Sequence, residues 1–191
     1  MKPVLLLPLL AALALGACRA EDVAKPEAVA LTAEAAGHFC QMNLMEHPGP
    51  KAQVHLKDQP NPLFFSQVRD AVAYKLMPEQ DGQITAIYVN DMGAAPSWEQ
   101  PGTTNWIDAD AAFYVTGSAR QGGMGAPELI PFAADSAARA FAQANGGTVQ
   151  RLDEIAPETV LTADGAAAPE EDADFLARLQ VLADDRKKEK M

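Results

Sequence analysis

The densest group of potential metal ligands in this sequence lies within eleven consecutive residues, 37–47. The segment contains one thiol, two thioethers and two imidazoles, on Cys40, Met42, Met45, His38 and His47. Copper(I) is a soft ion that prefers sulfur donors, whereas zinc favours several cysteines or a mixed cysteine and histidine set. In an extended segment, side chains two positions apart point to the same side, so the spacing of Cys40 and Met42 predicts that they chelate one ion together.

The other cysteine, Cys18, lies at the end of an apolar N-terminal stretch. That stretch is too short to span a bilayer and follows a basic start, which predicts a signal peptide over residues 1–17. Small residues immediately before Cys18 match a bacterial lipobox, in which the chain is cleaved before the cysteine and the cysteine is lipidated. Acyl chains contribute about 0.8 kcal/mol per buried CH₂ to such an anchor. The alternative is a soluble secreted protein cleaved at Ala17 or Ala20.

Lipidation of Cys18 would leave Cys40 without a partner for an intramolecular disulfide. In an oxidising compartment a lone thiol must be buried, oxidised, paired with another molecule or bound to a metal. A single methionine is more often a packing residue than a ligand. The combination of thioethers with an unpaired exported cysteine therefore favours a copper site.

A further sulfur atom, that of Met124, lies in a second segment, residues 121–132. Three glycines surround this methionine in the sequence, at positions 122, 123 and 125. A methionine of the core belongs in a helix or strand with apolar neighbours, whereas glycines indicate a flexible or sharply turned loop. Met124 is therefore a candidate functional residue.

The charge balance bears on the kind of partner that the protein binds. The chain has 15 Lys and Arg against 26 Asp and Glu, for a formal net charge of −11 at pH 7. Its basic cluster, at positions 187–190, follows two aspartates, Asp184 and Asp185. Binding to phosphates requires clustered basic residues on a folded surface, so nucleic acid is excluded as a partner.

Hydrophobic periodicity and turn residues predict the elements that carry these ligands. Strands are predicted at residues 51–57, 84–89, 112–116 and 148–152, and helices between Ser66 and Pro78 and from Ser136 to about Ala144. His55, in the first strand, is interpreted as a surface residue. The second half repeats the first at an offset of 67 residues, with Phe65, Ala71, Ala73 and Tyr74 matching Phe132, Ala138, Ala140 and Phe141. The predicted fold class is α+β, with two similar ββαβ-like units forming one compact domain.

Composition shifts divide the rest of the chain. Residues 18–37 lack a sustained apolar period and are predicted to be a flexible, lipid-anchored tether, with order beginning near His38. The folded domain is predicted over residues 38–158, followed by an acidic linker and a C-terminal helix over residues 159–191. One face of that helix carries Phe175, Leu179 and Leu182. Acidic residues lie at its N-terminal end and basic residues at its C-terminal end, as the helix dipole favours.

An ordered set of motifs covers roughly residues 38–155, after the lipobox cysteine. The motifs are residues 40–42 (CQM), 87–91 (IYVND) followed by Trp98, 112–115 (AFYV), 124–132 (MGAPELIPF) and 146–149 (GGTV). Together they resemble the NosL family, the accessory lipoproteins of nitrous oxide reductase. The resemblance implies two ββαβ units, distantly similar to organomercurial lyase.

The resemblance also implies a function. It indicates a copper(I) chaperone on the periplasmic side of the cell envelope, anchored by lipid, with the outer membrane favoured over the inner one. The chaperone would deliver copper for assembly of the copper-sulfide centre of nitrous oxide reductase. Its implied partners are the reductase apoprotein, an ABC-type copper-site assembly complex and the membrane.

The ligands carried over from the family are Cys40 and Met42, with Met124 as the third. Possible auxiliary ligands are Met45, Met92, His38 and His47. Met92 departs from the family pattern, because an aromatic residue is expected after Asp91, and it adds another sulfur atom.

Two other functions compete with the chaperone. The first is an enzyme with Cys40 as nucleophile, but a lyase-like site requires an activated thiolate and a second thiol, so we expect no enzyme. The second is a general copper-sequestering lipoprotein of the envelope without a dedicated client. Sequence separates this function from the chaperone only through the resemblance.

Overall fold

The computed structural model describes residues 25–161. The predicted signal peptide, Cys18 and the predicted C-terminal helix lie outside this range. Within it, no helix has both the length and the apolar character needed to cross a membrane.

The first unit is built on a four-stranded antiparallel sheet. Its elements are β1 (Ala52–Leu56), β2 (Leu63–Phe65), α1 (Val68–Leu76), β3 (Ile84–Asn90) and β4 (Trp106–Asp108). The strand order is β2-β1-β3-β4, so β1 pairs with both β2 and β3, and β4 extends the sheet beyond the ββαβ unit.

The second unit repeats this arrangement. Its elements are β5 (Phe113–Thr116), β6 (Ile130–Phe132), α2 (Asp135–Asn145) and β7 (Thr148–Gln150), followed by α3 (Pro157–Leu161). The strand order is β6-β5-β7, with both pairings antiparallel. The predicted α+β class with two ββαβ units is therefore confirmed.

The predicted repeat also holds at the level of side chains. β2 and β6, like α1 and α2, begin 67 residues apart. Phe65 and its counterpart Phe132 are buried, as are Ala71 and Ala138. The other two pairs differ, because Ala73 and Tyr74 are buried whereas Ala140 is exposed and Phe141 is partly buried.

The core joins the two units. The larger apolar cluster lies around the first sheet and α1, and it includes Ala112, Tyr114 and Leu129 from the second half. The hydroxyl of Tyr114 donates to the carbonyl oxygen of Ala109 at 2.7 Å. A smaller apolar cluster in the second unit contains Val115, Ile130, Phe132 and Ala138. Because residues of one half complete the core of the other, the halves form one domain.

The segment before His38 packs on the first sheet. Leu31 and Ala35 are buried in a third cluster with Leu44. The side chain of Gln53 accepts from the Val29 N–H at 2.8 Å and donates to the Val29 carbonyl at 2.9 Å. The predicted start of order near His38 is therefore too late. Side chains of the sheet bind the backbone of this segment. Its own sequence therefore shows no periodic pattern that would indicate order.

His55 is buried under this segment, so its interpretation as a surface residue is wrong. Its Nε2 lies 2.9 Å from Oε1 of Gln53, and its ring meets that of Tyr88 edge to face. The hydroxyl of Tyr88 donates in turn to the Pro26 carbonyl at 2.6 Å. The N-terminal segment thus covers the face of β1 that was expected to contact solvent.

Leu31→Ala tests whether this segment contributes to stability. Leu31 is 7% exposed and Val29 is 40% exposed. Truncating a buried leucine costs about 2–3 kcal/mol, whereas the matched Val29→Ala change should stay within about 0.5 kcal/mol. Urea unfolding measures both. Equal, small effects would mean that the segment does not pack in solution.

Candidate metal centre

Cys40 and Met42 lie on a closed turn rather than in an extended segment. The Gly37 N–H donates to the Met42 carbonyl at 2.9 Å, and the Gln41 N–H donates to the Gly37 carbonyl at 2.8 Å. Gln41 has a φ of 55°, in the left-handed region. The expected extended geometry is therefore wrong, and a turn carries the two sulfur-bearing residues instead.

The thiol of Cys40 is half-buried against the fold. Its Sγ lies 3.7 Å from the hydroxyl oxygen of Ser66, the residue that follows β2. A Cβ at position 37 would lie 2.5 Å from this sulfur, so glycine is needed there. The His38 N–H donates to the Phe64 carbonyl at 2.6 Å and fixes the turn to β2.

Met124 lies at the tip of a second tight turn, as its glycines predicted. The Gly122 N–H donates to the Ala126 carbonyl at 2.7 Å, and the Gly125 N–H donates to the Gly122 carbonyl at 2.9 Å. The backbone N–H of Met124 donates to Oε1 of Gln67 at 2.7 Å. The methionine side chain itself is exposed.

The two turns meet on adjacent residues. Ser66 contacts the thiol of Cys40, and Gln67 binds the backbone of Met124. The structure therefore brings the turn of Cys40 and Met42, from the first half, next to the Met124 turn, from the second half.

His47 joins the same region. Its Nδ1 lies 3.1 Å from the carbonyl oxygen of Gly123. A carbonyl can only accept, so this contact is a hydrogen bond when Nδ1 carries the proton, and in that neutral tautomer Nε2 presents a lone pair. Nε2 is buried and has no hydrogen-bond partner within the described residues. In that tautomer His47 has a ring nitrogen free for a metal.

The other possible auxiliary ligands have different surroundings. His38 Nε2 lies 3.4 Å from Oδ2 of Asp81, and its ring packs against Phe65. Met92 packs in the smaller core cluster, where its thioether fills space. Met45 is exposed on a single 3₁₀ turn, Leu44–Glu46.

Buried polar residues around the site were missed by sequence reasoning. Ser66, Gln67 and Lys51 are almost fully buried, and so is Glu128. Only Glu128 lies in a motif that the family resemblance pointed out. The others carry no local signal, because their roles depend on contacts with distant segments.

Lys51 places a buried positive charge near the site. Its ammonium donates to the carbonyls of Pro48, at 3.0 Å, and Gly49, at 2.7 Å. Burial lowers the pKa of Lys51 to about 8, and negative charge on Glu128 and Cys40 opposes that shift. A thiolate at Cys40 therefore interacts favourably with this ammonium.

Glu128 caps the N-terminus of α1 from the other half of the molecule. Its carboxylate oxygens accept from the N–H groups of Val68, at 3.3 Å, and Arg69, at 2.9 Å. Burial raises the pKa of Glu128 to about 8, while the N–H donors of Arg69 and Leu129 act in the opposite direction. The acid thus ties the second half to the helix that begins beside Gln67.

The donor set fits a soft metal ion. Within residues 25–161, no group of three or more His, Cys, Asp and Glu side chains could hold a metal. The available donors are a half-buried thiol and exposed thioethers on two turns that meet. Such donors favour copper(I) over zinc or calcium, which require imidazole, several thiolates or carboxylates.

The fold and the site define a small α+β protein suited to binding a soft metal ion. The NosL family model matches residues 28–160, and the chain belongs to the NosL family. The resemblance seen in the sequence motifs is thereby confirmed.

Similar proteins carry names that agree with this chemistry. The chain is 56% identical over 178 residues to the copper-binding lipoprotein NosL of Achromobacter cycloclastes, covering 90% of this chain and 91% of that protein. It is 37% identical over 118 residues to the copper-binding lipoprotein NosL of Stutzerimonas stutzeri, covering 62% and 60%. The crystal structure of the copper chaperone NosL from Shewanella denitrificans is similar with a TM-score of 0.63 and 34% identity, over 68% of this chain and 95% of that one.

The buried acid gives stability a defined pH dependence. Because the pKa of Glu128 is raised on folding, the folded state binds a proton that the unfolded state has released between about pH 5 and pH 8. Stability should therefore fall as pH rises through this window, by up to about 1.4 kcal/mol per pH unit. The lowered pKa of Lys51 makes stability rise with pH, but only above about pH 8. The negative charge of Asp70 contributes to the raised pKa of Glu128.

Glu128→Gln should remove this slope, as measured by urea unfolding at several pH values. The exposed Glu79→Gln serves as the matched control and should leave the slope unchanged. Parallel curves for wild type and Glu128→Gln would contradict a proton-binding Glu128 in the folded state.

Proposed function

We propose that this protein is a lipid-anchored copper(I) chaperone whose cargo ion is held by Cys40, Met42 and Met124. The observation that carries the proposal is the meeting of two sulfur-bearing turns on Ser66 and Gln67. Each turn is closed by its own backbone hydrogen bonds, so the donors are carried on ordered backbone.

The thiolate of Cys40 is the principal donor. It supplies both covalency and charge to a copper(I) ion, whereas a thioether supplies covalency alone. His47 Nε2 is a reserve donor beside the Met124 turn, since Nδ1 contacts the Gly123 carbonyl and Nε2 has no hydrogen-bond partner within the described residues.

The exposure of the thioethers suits a carrier. Met42 is 41% exposed and Met124 is 44% exposed. A receiving protein can therefore approach the ion from the solvent side and exchange ligands one at a time. An enzyme using Cys40 as nucleophile would need a base beside the thiol, but in the described part of the chain the thiol's hydrogen-bond partner is the Ser66 hydroxyl.

The client proposed is the copper-sulfide centre of nitrous oxide reductase. Membership of the NosL family and the names of its relatives support copper carriage by an envelope lipoprotein. We propose that the protein faces the periplasm, in the outer membrane rather than the inner one, and works with the reductase apoprotein and an ABC-type assembly complex. Transfer of copper to the isolated apo-reductase tests this client, and retention of all copper would favour sequestration instead.

Cys18→Ser tests the anchor. If Cys18 is lipidated, this variant should move from the membrane fraction to the soluble fraction and bind copper as before, because Cys18 precedes the folded domain. Fractionation followed by immunodetection measures the distribution. Unchanged membrane retention would refute the lipobox.

A series of matched substitutions tests the ligands. Anaerobic titration against a chromophoric chelator should give one tightly bound copper(I) per chain, with zinc much weaker. Cys40→Ser should weaken binding by roughly a hundredfold or more, equivalent to about 2.8 kcal/mol. Met42→Leu and Met124→Leu, which conserve volume, should weaken it less.

Met92→Leu is the control for this series, because its thioether packs in the core. Its affinity should equal that of wild type. Met124→Leu should also reduce the copper-induced rise in melting temperature, since a ligand that binds only the folded state stabilises it by mass action. If Met124→Leu matches wild type in both copper(I) affinity and copper-induced stabilisation, Met124 is not a ligand, and His47 or Met45 is the third donor.

A further inference from the structure

Gln67 occupies an unusual position for a buried amide. It is 1% exposed and is the N-cap residue of α1, yet its side chain makes no capping hydrogen bond to the helix. The N–H groups at the start of the helix are instead bound by Glu128 from the second half. The Gln67 side chain is therefore available for another partner.

That partner is the turn that carries Met124. Oε1 of Gln67 accepts the Met124 backbone N–H at 2.7 Å. The same turn also packs on the Gln67 side chain, since a Cβ at position 122 would lie 3.0 Å from Gln67 Cδ. A hydrogen bond and a close contact thus fix this turn to one amide.

The neighbour of Gln67 completes the connection. Ser66, also buried, lies 3.7 Å from the thiol of Cys40 through its hydroxyl. One peptide bond therefore separates the residue that contacts the first-half donor from the residue that binds the second-half donor. Both residues are buried, so the two turns are attached to consecutive positions of one ordered backbone segment.

We propose that Gln67 is a positioning residue that holds Met124 at its distance from Cys40 before copper arrives. The inference rests on the copper-carrier function proposed above. Gln67 does not bind the ion; it lowers the cost of ordering the Met124 turn when the ion binds.

A double-mutant cycle in the full chain tests this role. The proteins are wild type, Gln67→Leu, Met124→Leu and the double variant, and the measurement is anaerobic copper(I) affinity by chelator competition. Leucine removes the amide without adding a sulfur donor. Losing one hydrogen bond that orders the turn should weaken binding by roughly threefold to tenfold. If Gln67 acts through Met124, the double variant should bind no more weakly than Met124→Leu.

Gln53→Leu is the matched control. Gln53 is a fully buried glutamine that also binds backbone, at Val29, but it holds the N-terminal segment. This change should lower the melting temperature and leave copper affinity within about twofold, the scale of experimental error in such additivity tests. Gln67→Asn, which shortens the side chain by one methylene, provides a milder variant with the same expected direction.

Hydrogen exchange supplies a readout without copper. The Met124 amide should be protected in wild type and should lose protection in Gln67→Leu. Equal weakening by Gln67→Leu in both Met124 backgrounds, or unchanged affinity with only a lower melting temperature, would overturn the positioning role. A wild-type protein that fails to bind copper(I) would instead overturn the proposed function.

Discussion

The N-terminus of α1 is the point on which the rest of the molecule depends. The first N–H groups of a helix have no partner within it and must find one elsewhere. Here the partner is the buried carboxyl group of Glu128, from the turn-and-strand segment of the second half. The N–H groups at the start of α1 are thus bound by a residue of the other unit. The two ββαβ repeats cannot separate without leaving these N–H groups unpaired. The proposed site lies at this junction because Ser66 and Gln67, just before α1, contact both sulfur-bearing turns.

Burial of charge at this junction has an energetic consequence. Lys51 and Glu128 are both taken out of water, and burial moves their pKa values toward the neutral forms. Such groups cost stability unless they are bonded, and each makes several hydrogen bonds to backbone groups. A copper ion bound at Cys40 would change the charge next to Lys51. Copper binding and the stability of the fold are therefore expected to be coupled through Lys51 and Glu128.

The parts of the fold that sequence predicted are those with a local signature. Alternation predicted β1, a run of β-prone residues predicted β3, and the repeat of Phe65 at Phe132 predicted two equivalent units. The glycines around Met124 predicted its turn. What failed depends on contacts between distant segments. His55 is covered by a segment 24 or more residues earlier, and the turn at Cys40 depends on a left-handed Gln41, which no periodicity indicates. Gln67 reads as an ordinary polar residue because its partner lies 57 positions away.

Carrier function places two opposite demands on a metal site. The donors must be ordered, so that binding costs little entropy, and they must remain accessible, so that the ion can leave. This fold separates the two demands between backbone and side chain. The backbones at Met42 and Met124 are fixed by hydrogen bonds, while both side chains are more than two-fifths exposed. Methionine suits this division, because its unbranched thioether can change rotamer without moving the backbone. Of the three proposed ligands only Cys40 is half-buried, so the thiolate that we propose as the principal donor is the one least open to solvent. A receiving site would therefore displace the thioethers first and the thiolate last.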